Sequence, residues 1–501
     1  MRDDVLLIED LGQQHLRART LAAVLQEAGL RPQLAHFGSA EDMGAILALA
    51  GQLQPGLVIL SILFAGRVDE HLGLATALRR VSPGSHLTLV GPLPTLAWAE
   101  LLAACPALDS VLRGEAEASV ASLAIRLGGP DWQRAVPGLA CRAPALAASP
   151  PPPLLADLDS LPAPLRDEGL DFATVEASRG CYHACTFCLA STAGRAAGGP
   201  CYRLRGITHL ADELEALACR GVRLFLFDDE QFLPPGRARY ERVAALEKEL
   251  VRRGLKIAFT IKCRADDVEE GLFRRLQELG LLRAYVGVES GCQASLNLLG
   301  KGTSPRDNAE ALATLASLGI VVDFRSLLFH PWSTLQSLGT EIGFLSQVLA
   351  QVPTLFSFRE VEVYPGTALA ARLRAEGRGD GPPWPLAYTL ADPRAELLRR
   401  LSRLVFGSSI YASLQERLIQ AWFTLLVERR FEPARVGPAR GAQLKAVAQA
   451  VNAGSLCLWQ EMLAVAAGDI YDAARINERA ADWAARLHAA CLRAEEAMSN
   501  E

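Results

Sequence analysis

Cys181-Tyr182-His183-Ala184-Cys185-Thr186-Phe187-Cys188 is the stretch on which the reading of this chain turns. Its three cysteines are spaced C-x3-C-x2-C and follow a short apolar run, Phe172 to Ala177, and an expected turn, Ser178-Arg179-Gly180. A compact loop of this spacing aims three thiolates at one point, as three irons of a cubane cluster require, and leaves the fourth iron without a protein ligand. A structural zinc would want a fourth ligand, for which His183 is the near candidate. Cysteines packed as small apolar residues are the third possibility.

The motifs beyond the loop run in a fixed order. They are Phe225-Leu226-Phe227-Asp228-Asp229, Thr260-Ile261-Lys262-Cys263-Arg264-Ala265-Asp266, Val286-Gly287-Val288-Glu289-Ser290-Gly291, Lys301-Gly302-Thr303 and Tyr364-Pro365-Gly366-Thr367. With the cysteine loop they resemble the strand-end motifs of the radical S-adenosylmethionine (SAM) enzymes, in the branch that carries an N-terminal cobalamin-binding domain. The resemblance covers most of the span from Asp171 to Leu373. It implies a [4Fe-4S] cluster on Cys181, Cys185 and Cys188, with SAM chelated to the open iron and cleaved to a 5′-deoxyadenosyl radical. It also implies SAM contacts for the following residues: Asp228 or Asp229 with the ammonium, Arg264 with the carboxylate, Glu289 with the ribose hydroxyls or an arginine, and Tyr182 and Phe187 beside the cluster and adenine. An Arg264–Glu289 ion pair of purely structural purpose is the competing expectation.

Six strand candidates lie in this region: 174–177, 224–227, 257–261, 284–288, 321–329 and 355–363. Their alternation with helical stretches predicts a parallel sheet. Six units are too few for an eightfold barrel, so a partial (β/α)6 TIM-like barrel over residues 171–375 is expected, with function at the carboxyl ends of its strands.

Residues 1–130 also alternate apolar runs with helical patterns. The runs at Val5–Ile8, Gln33–His36, Leu57–Leu63, Leu87–Val90 and Ser110–Leu112 precede helices expected over 15–28, 41–53, 70–80, 96–104 and 115–126. Continuous rather than alternating apolar strands predict a parallel sheet buried on both faces, a doubly wound Rossmann-like domain whose ligand lies beyond the strand ends. Those ends, Ser61-Ile62-Leu63-Phe64, Gly91-Pro92-Leu93-Pro94-Thr95 and Arg113-Gly114-Glu115-Ala116-Glu117, resemble the cobalamin-domain pattern of the same branch. The resemblance assigns Ser61, Gly91, Pro92, Gly114 and Glu115 to cobalamin. It departs from the pattern in having no Asp-x-His-x-x-Gly, so no histidine from that motif reaches the lower face of the cobalt. A relic domain that no longer holds a corrinoid is the alternative.

A proline-rich linker, residues 131–170 with Pro150-Pro151-Pro152-Pro153, is expected to be extended, because consecutive prolines continue neither helix nor central strand. Residues 376–501 are helical in pattern, over 395–404, 411–429, 441–467 and 478–498. Trp422, Phe423, Trp459 and Trp483 there are expected in a core.

The chain has 501 residues, half of them hydrophobic and 21% charged, and a formal net charge of −5. That balance gives no electrostatic case for nucleic acid or an anionic membrane. No apolar run reaches the roughly 18 residues of a spanning helix. Eleven cysteines, three of them clustered, fit a reducing cytoplasm and a metal site better than a disulfide framework.

The resemblance therefore implies a cobalamin-dependent radical SAM methyltransferase acting on a carbon of a small molecule, with a natural product preferred, and served by an external flavodoxin- or ferredoxin-type electron donor. A radical rearrangement, cyclisation or epimerisation with a degenerate cobalamin domain is the alternative. Replacing Cys181, Cys185 and Cys188 together by Ala is expected to abolish both iron and sulfide uptake and SAM cleavage. Retained cleavage in the triple variant would rule out the cluster assignment.

Overall fold

The computed structural model describes residues 4–10, 16–63, 65–142, 149–382, 384–437, 439–468 and 473–499. His15 and Phe64, both within stretches singled out above, and residues 143–148 of the linker lie outside the described residues.

The first sheet contains β1 (Asp4–Asp10), β2 (Arg31–Phe37), β3 (Leu57–Ser61), β4 (His86–Val90), β5 (Ser110–Leu112) and β6 (Leu139–Cys141), in the order β2-β1-β3-β4-β5-β6. The five expected strands pair in parallel, and β6, which the apolar pattern did not single out, is antiparallel to β5. Strand periodicity explains the continuous apolar runs. Leu6, Ile8, Val58, Leu60, Leu87 and Leu89 enter one buried cluster, while Val5, Leu7, Leu57, Ile59 and Leu112 enter another. Alternate residues face opposite sides, so both sides must be apolar when helices cover both. Each such leucine or isoleucine contributes about 1.5–3 kcal/mol by leaving water.

The second set of strands comprises β7 (Phe172–Val175), β8 (Ser178–Gly180), β9 (Tyr202–Leu204), β10 (Leu224–Phe227), β11 (Ala258–Arg264), β12 (Leu281–Glu289), β13 (Val321–Phe329) and β14 (Phe358–Glu360). Six of them form one sheet in the order β14-β13-β12-β11-β10-β7, and β11 to β14 pair in parallel. Every strand candidate of the barrel region therefore overlaps a strand. The expected turn at Ser178-Arg179-Gly180 is instead β8, paired antiparallel with β9. Gly180 makes that pairing possible: its φ is +80°, and a Cβ there would lie 2.0 Å from the Cys201 carbonyl oxygen.

By internal packing the chain forms two compact units. One comprises residues 1–222, 226–231 and 362–387, and the other comprises 223–225, 232–361 and 388–501. In the first unit, Tyr364 and Trp384 pack against the core under the first sheet. In the second unit the four long helices Pro393–Phe406, Ser409–Phe431, Arg440–Ala467 and Ala473–Ser499 realise the helical pattern of the tail. Trp459 is fully buried among Phe329, Phe356, Phe358 and Phe406, its ring stacked on Phe406 at 5.5 Å. Trp422, Phe423 and Trp483 are buried as well. Asn452 completes the link to β14, accepting from Phe356 N at 2.8 Å and donating to Thr354 O at 2.7 Å. Among the described residues no helix is long and apolar enough to cross a membrane.

The turn after β12 is tightly packed. A Cβ on Gly291 would meet the Phe344 ring at 2.1 Å. Gly291→Ala is therefore expected to destabilise the protein by about 1–3 kcal/mol, the usual cost of overpacking a filled core. Urea unfolding checks this, and an unchanged midpoint would contradict the packing described.

Candidate functional site

The first unit contains an open cavity with about 870 Å³ of empty space, its mouth included. One wall comes from the strand ends of the first sheet: Ser61, Gly91, Pro92, Gly114 and Glu115. The opposite wall is Gly180 and Cys181, Cys201, and the small-residue face Ala190, Ala193 and Gly194 of the helix Leu189–Ala197. All five residues assigned to cobalamin from the sequence thus line one space, together with a cluster cysteine. Gly91 has φ +126°, and a Cβ would stand 2.5 Å from the Ile62 carbonyl, so the chain turns there only as glycine. Gly194 has open space before it. Among the described lining residues none is histidine, in keeping with the missing Asp-x-His-x-x-Gly. The lining is largely apolar and edged by glycine backbone, so the kinds of residue present fit a corrinoid.

Glu115 is committed to a different partner. Its two oxygens accept from Arg203 at 2.8 Å each, and Oε2 also accepts from Leu155 N at 2.7 Å. It lines the cavity as half of an ion pair, not as an open contact. Arg179 extends the network. Its Nε donates to Glu176 at 2.7 Å, and its Nη1 lies 2.9 Å from Glu117 and 3.7 Å from Glu115. Burial pushes Glu176 upward from the ordinary carboxylate range, against the pull of the Arg179 and Arg17 charges. Sequence reading missed Glu230, although it directly follows the Asp-Asp pair. It accepts from Arg17 at 2.7 Å and from Gly180 N at 2.9 Å, one residue before the first cluster cysteine.

In the cysteine loop, the backbone N–H of His183 points to Cys181 Sγ and that of Ser191 to Cys188 Sγ, each at 3.5 Å. Such bonds stabilise a thiolate bound to iron. Burial pushes the Cys188 thiol up to about 11, and the nearby Cys185 and Cys181 add to the rise while the Ser191 N–H opposes it. Three cysteines on one short loop, two of them accepting backbone N–H groups, are a donor set that fits a cluster held by three thiolates. Tyr182 packs edge-on against Tyr202 at 5.3 Å, and its hydroxyl accepts from Gln231 Nε2 at 3.3 Å. Phe187 is half-buried.

The two aspartates after β10 part company. Asp229 is fully buried, accepting from the Ser178 hydroxyl and from Ala177 N. Asp228 is exposed. The alternation of β10 carries on past its last residue, Phe227, so that Asp229 turns inward and Asp228 outward.

The second unit holds Arg264 and Glu289. Arg264 bonds Asp266 at 2.8 Å and the Lys301 carbonyl, while Glu289 accepts from Lys301 Nζ at 3.0 Å. Glu289 is a non-glycine residue at φ +61°, a strained conformation that persists only where its surroundings impose it. The next two residues show what imposes it. Glu341 accepts from the Ser290 hydroxyl at 2.6 Å and from Gly291 N at 2.7 Å, and Asn308 donates to the carbonyls of Val288 and Ser290. The sequence marked the Lys301-Gly302-Thr303 stretch but not its role of bracing Glu289.

Known proteins can now be set beside this geometry. The radical SAM superfamily model matches residues 175–333, and the B12 binding domain model matches residues 13–124. An uncharacterised methyltransferase of Pyrococcus horikoshii is 24% identical over 345 residues, 66% of this chain and 72% of that protein. The hopanoid C-3 methylase of Methylococcus capsulatus is 26% identical over 328 residues, 63% of this chain and 60% of that one. In fold, the chain is similar to the cobalamin-dependent S-adenosylmethionine radical enzyme OxsB with aqua-cobalamin and S-adenosylmethionine bound, with a TM-score of 0.71, 17% identity, and 99% of this chain and 80% of that chain covered.

Glu289→Ala is expected to weaken SAM binding about tenfold or more while leaving iron content unchanged, the cost of losing one charge-assisted contact. Equilibrium dialysis with labelled SAM measures it, and unaltered affinity would reduce Glu289 to scaffolding.

Proposed function

We propose that this chain, a radical SAM enzyme with an N-terminal B12-binding domain, transfers a methyl group to a carbon centre of a small-molecule substrate. The observation that carries the reading is that Cys181 and the strand-end residues Ser61, Gly91 and Gly114 line the same cavity. When bound, the [4Fe-4S] cluster supplies the electron that cleaves SAM to a 5′-deoxyadenosyl radical, and cobalamin supplies the methyl group.

The chain's own residues bind, orient and exclude. Cys181, Cys185 and Cys188 hold three irons. Asp228, in the first unit, would take the SAM ammonium; the strand-end motifs assign Arg264 and Glu289, the latter braced by Lys301, to its carboxylate and ribose hydroxyls. Tyr182 and Phe187 flank the cluster. The apolar lining around Leu21, Leu63, Leu154 and Ala193 keeps water from a carbon radical, which reacts with whatever hydrogen donor it meets. The named methyltransferase and methylase among the similar proteins support methyl transfer, and the anaerobic magnesium-protoporphyrin IX monomethyl ester cyclases among them support radical cyclisation as the second reading. A natural-product intermediate is the preferred substrate class, since the chain has no basic surface signature for a macromolecule. A flavodoxin- or ferredoxin-type donor in the cytoplasm would supply the electron.

Anaerobic reconstitution with iron, sulfide and hydroxocobalamin is expected to leave, after desalting, a retained base-off corrinoid beside the cluster. Candidate acceptors then receive label from methyl-labelled SAM. A reconstituted cluster with no retained corrinoid, and 5′-deoxyadenosine formed without methylated product, would sink methyl transfer and point to a radical rearrangement or cyclisation.

A further inference from the structure

The buried charges around Arg179 and Arg203 have a geometry that neither cofactor requires. Glu115 and Glu117 belong to the turn after β5, at the carboxyl edge of the first sheet. Arg179 and Arg203 stand directly opposite each other on β8 and β9, the ribbon that leads into Cys181. Arg203 grips Glu115 with both nitrogens at 2.8 Å and also donates to Leu155 O at 2.7 Å, while Arg179 reaches Glu117 at 2.9 Å. All four side chains are buried. A forked guanidinium on a carboxylate fixes direction as well as distance, and a dry environment leaves such a pair little freedom to slide. A third strap, Arg17 to Glu230 to Gly180 N, fastens the same ribbon to the helix Leu16–Glu27 that follows β1.

We infer that Glu115, Glu117, Arg179 and Arg203 are positioning residues: they latch the cluster-bearing ribbon to the edge of the first sheet and so set the placement of the cluster relative to the corrinoid. The inference rests on the reading that both cofactors bind the first unit. It gives Glu115 a role apart from any contact with corrinoid. It also explains why the ribbon's arginines, outside every cofactor motif, are buried. Closing the latch forms no covalent bond and moves no electron; it removes the freedom of one element against another.

The decisive experiment uses the full chain loaded with cluster and corrinoid, reduced so that both Co(II) and the cluster are paramagnetic. Electron spin relaxation then reports the coupling between them. Arg203→Gln and Glu117→Gln are each expected to retain wild-type amounts of iron and corrinoid while losing the single well-defined coupling of the wild type. Unchanged coupling in both variants overturns the latch. Corrinoid lost from Glu115→Gln but kept by Arg203→Gln also overturns it, because Glu115 would then be a direct contact.

Hydrogen exchange on the protein without cofactors decides the matter even if loading fails. The amides of β8 and β9 in Arg203→Lys, which keeps the charge but not the fork, are expected to exchange at least about tenfold faster, with those of β1 and β3 unaffected. Equal rates in variant and wild type overturn the latch. Failure of the wild type to retain corrinoid would instead count against the proposed function and leave this exchange result standing.

Discussion

The close approach of Gly180 to the Cys201 carbonyl is the constraint on which the site depends. With a side chain at residue 180 the β8–β9 ribbon could not pair, because a Cβ would occupy space already filled by backbone. The pairing holds Arg179 beside Arg203 and delivers Cys181 to the cavity. It also turns the Gly180 amide toward Glu230. Sterics at one position thus organise a metal-ligand loop, a buried ion network and one wall of the cavity. The ion network is costly to desolvate, and its value lies in direction more than in net stability.

Much of this was legible in the chain itself. The first sheet could be read because strands covered on both faces must be apolar at every position, and Val5 to Ile8 obeys that rule. The cysteine loop could be nominated as a ligand set because ligand spacing is a local property. Strand ends could be read because glycine and acidic residues punctuate them. β6 escaped: Leu139-Ala140-Cys141 is three residues long, too short for any period to register, and its place is fixed by pairing with β5. Ser178-Arg179-Gly180 looked like a turn because glycine signals turns, whereas here glycine serves close backbone contact.

The partners of the site residues were the least legible. Nothing in the order of residues says that Glu115 meets Arg203, 88 positions away, or that Glu289 is braced by Lys301. Those choices follow from three-dimensional packing. Asp228 and Asp229 make the point most simply. Adjacent and chemically identical, they differ in burial because the alternation of β10 carries on into the two residues that follow it. A pattern of residue types can nominate both, and only the fold separates the exposed carboxylate from the buried one.

The first unit is discontinuous in sequence: residues 362–387 return to it after the chain has left for the second unit, and Tyr364 and Trp384 pack on the core beneath the first sheet. During vectorial synthesis that core waits for more than two hundred residues after Leu112 before its last aromatic side chain arrives. Shortened versions ending before Trp384 would leave apolar surface of the first sheet uncovered, a standing invitation to aggregate. The boundary for a well-behaved fragment is therefore set by an indole near residue 384, far from the sheet it protects.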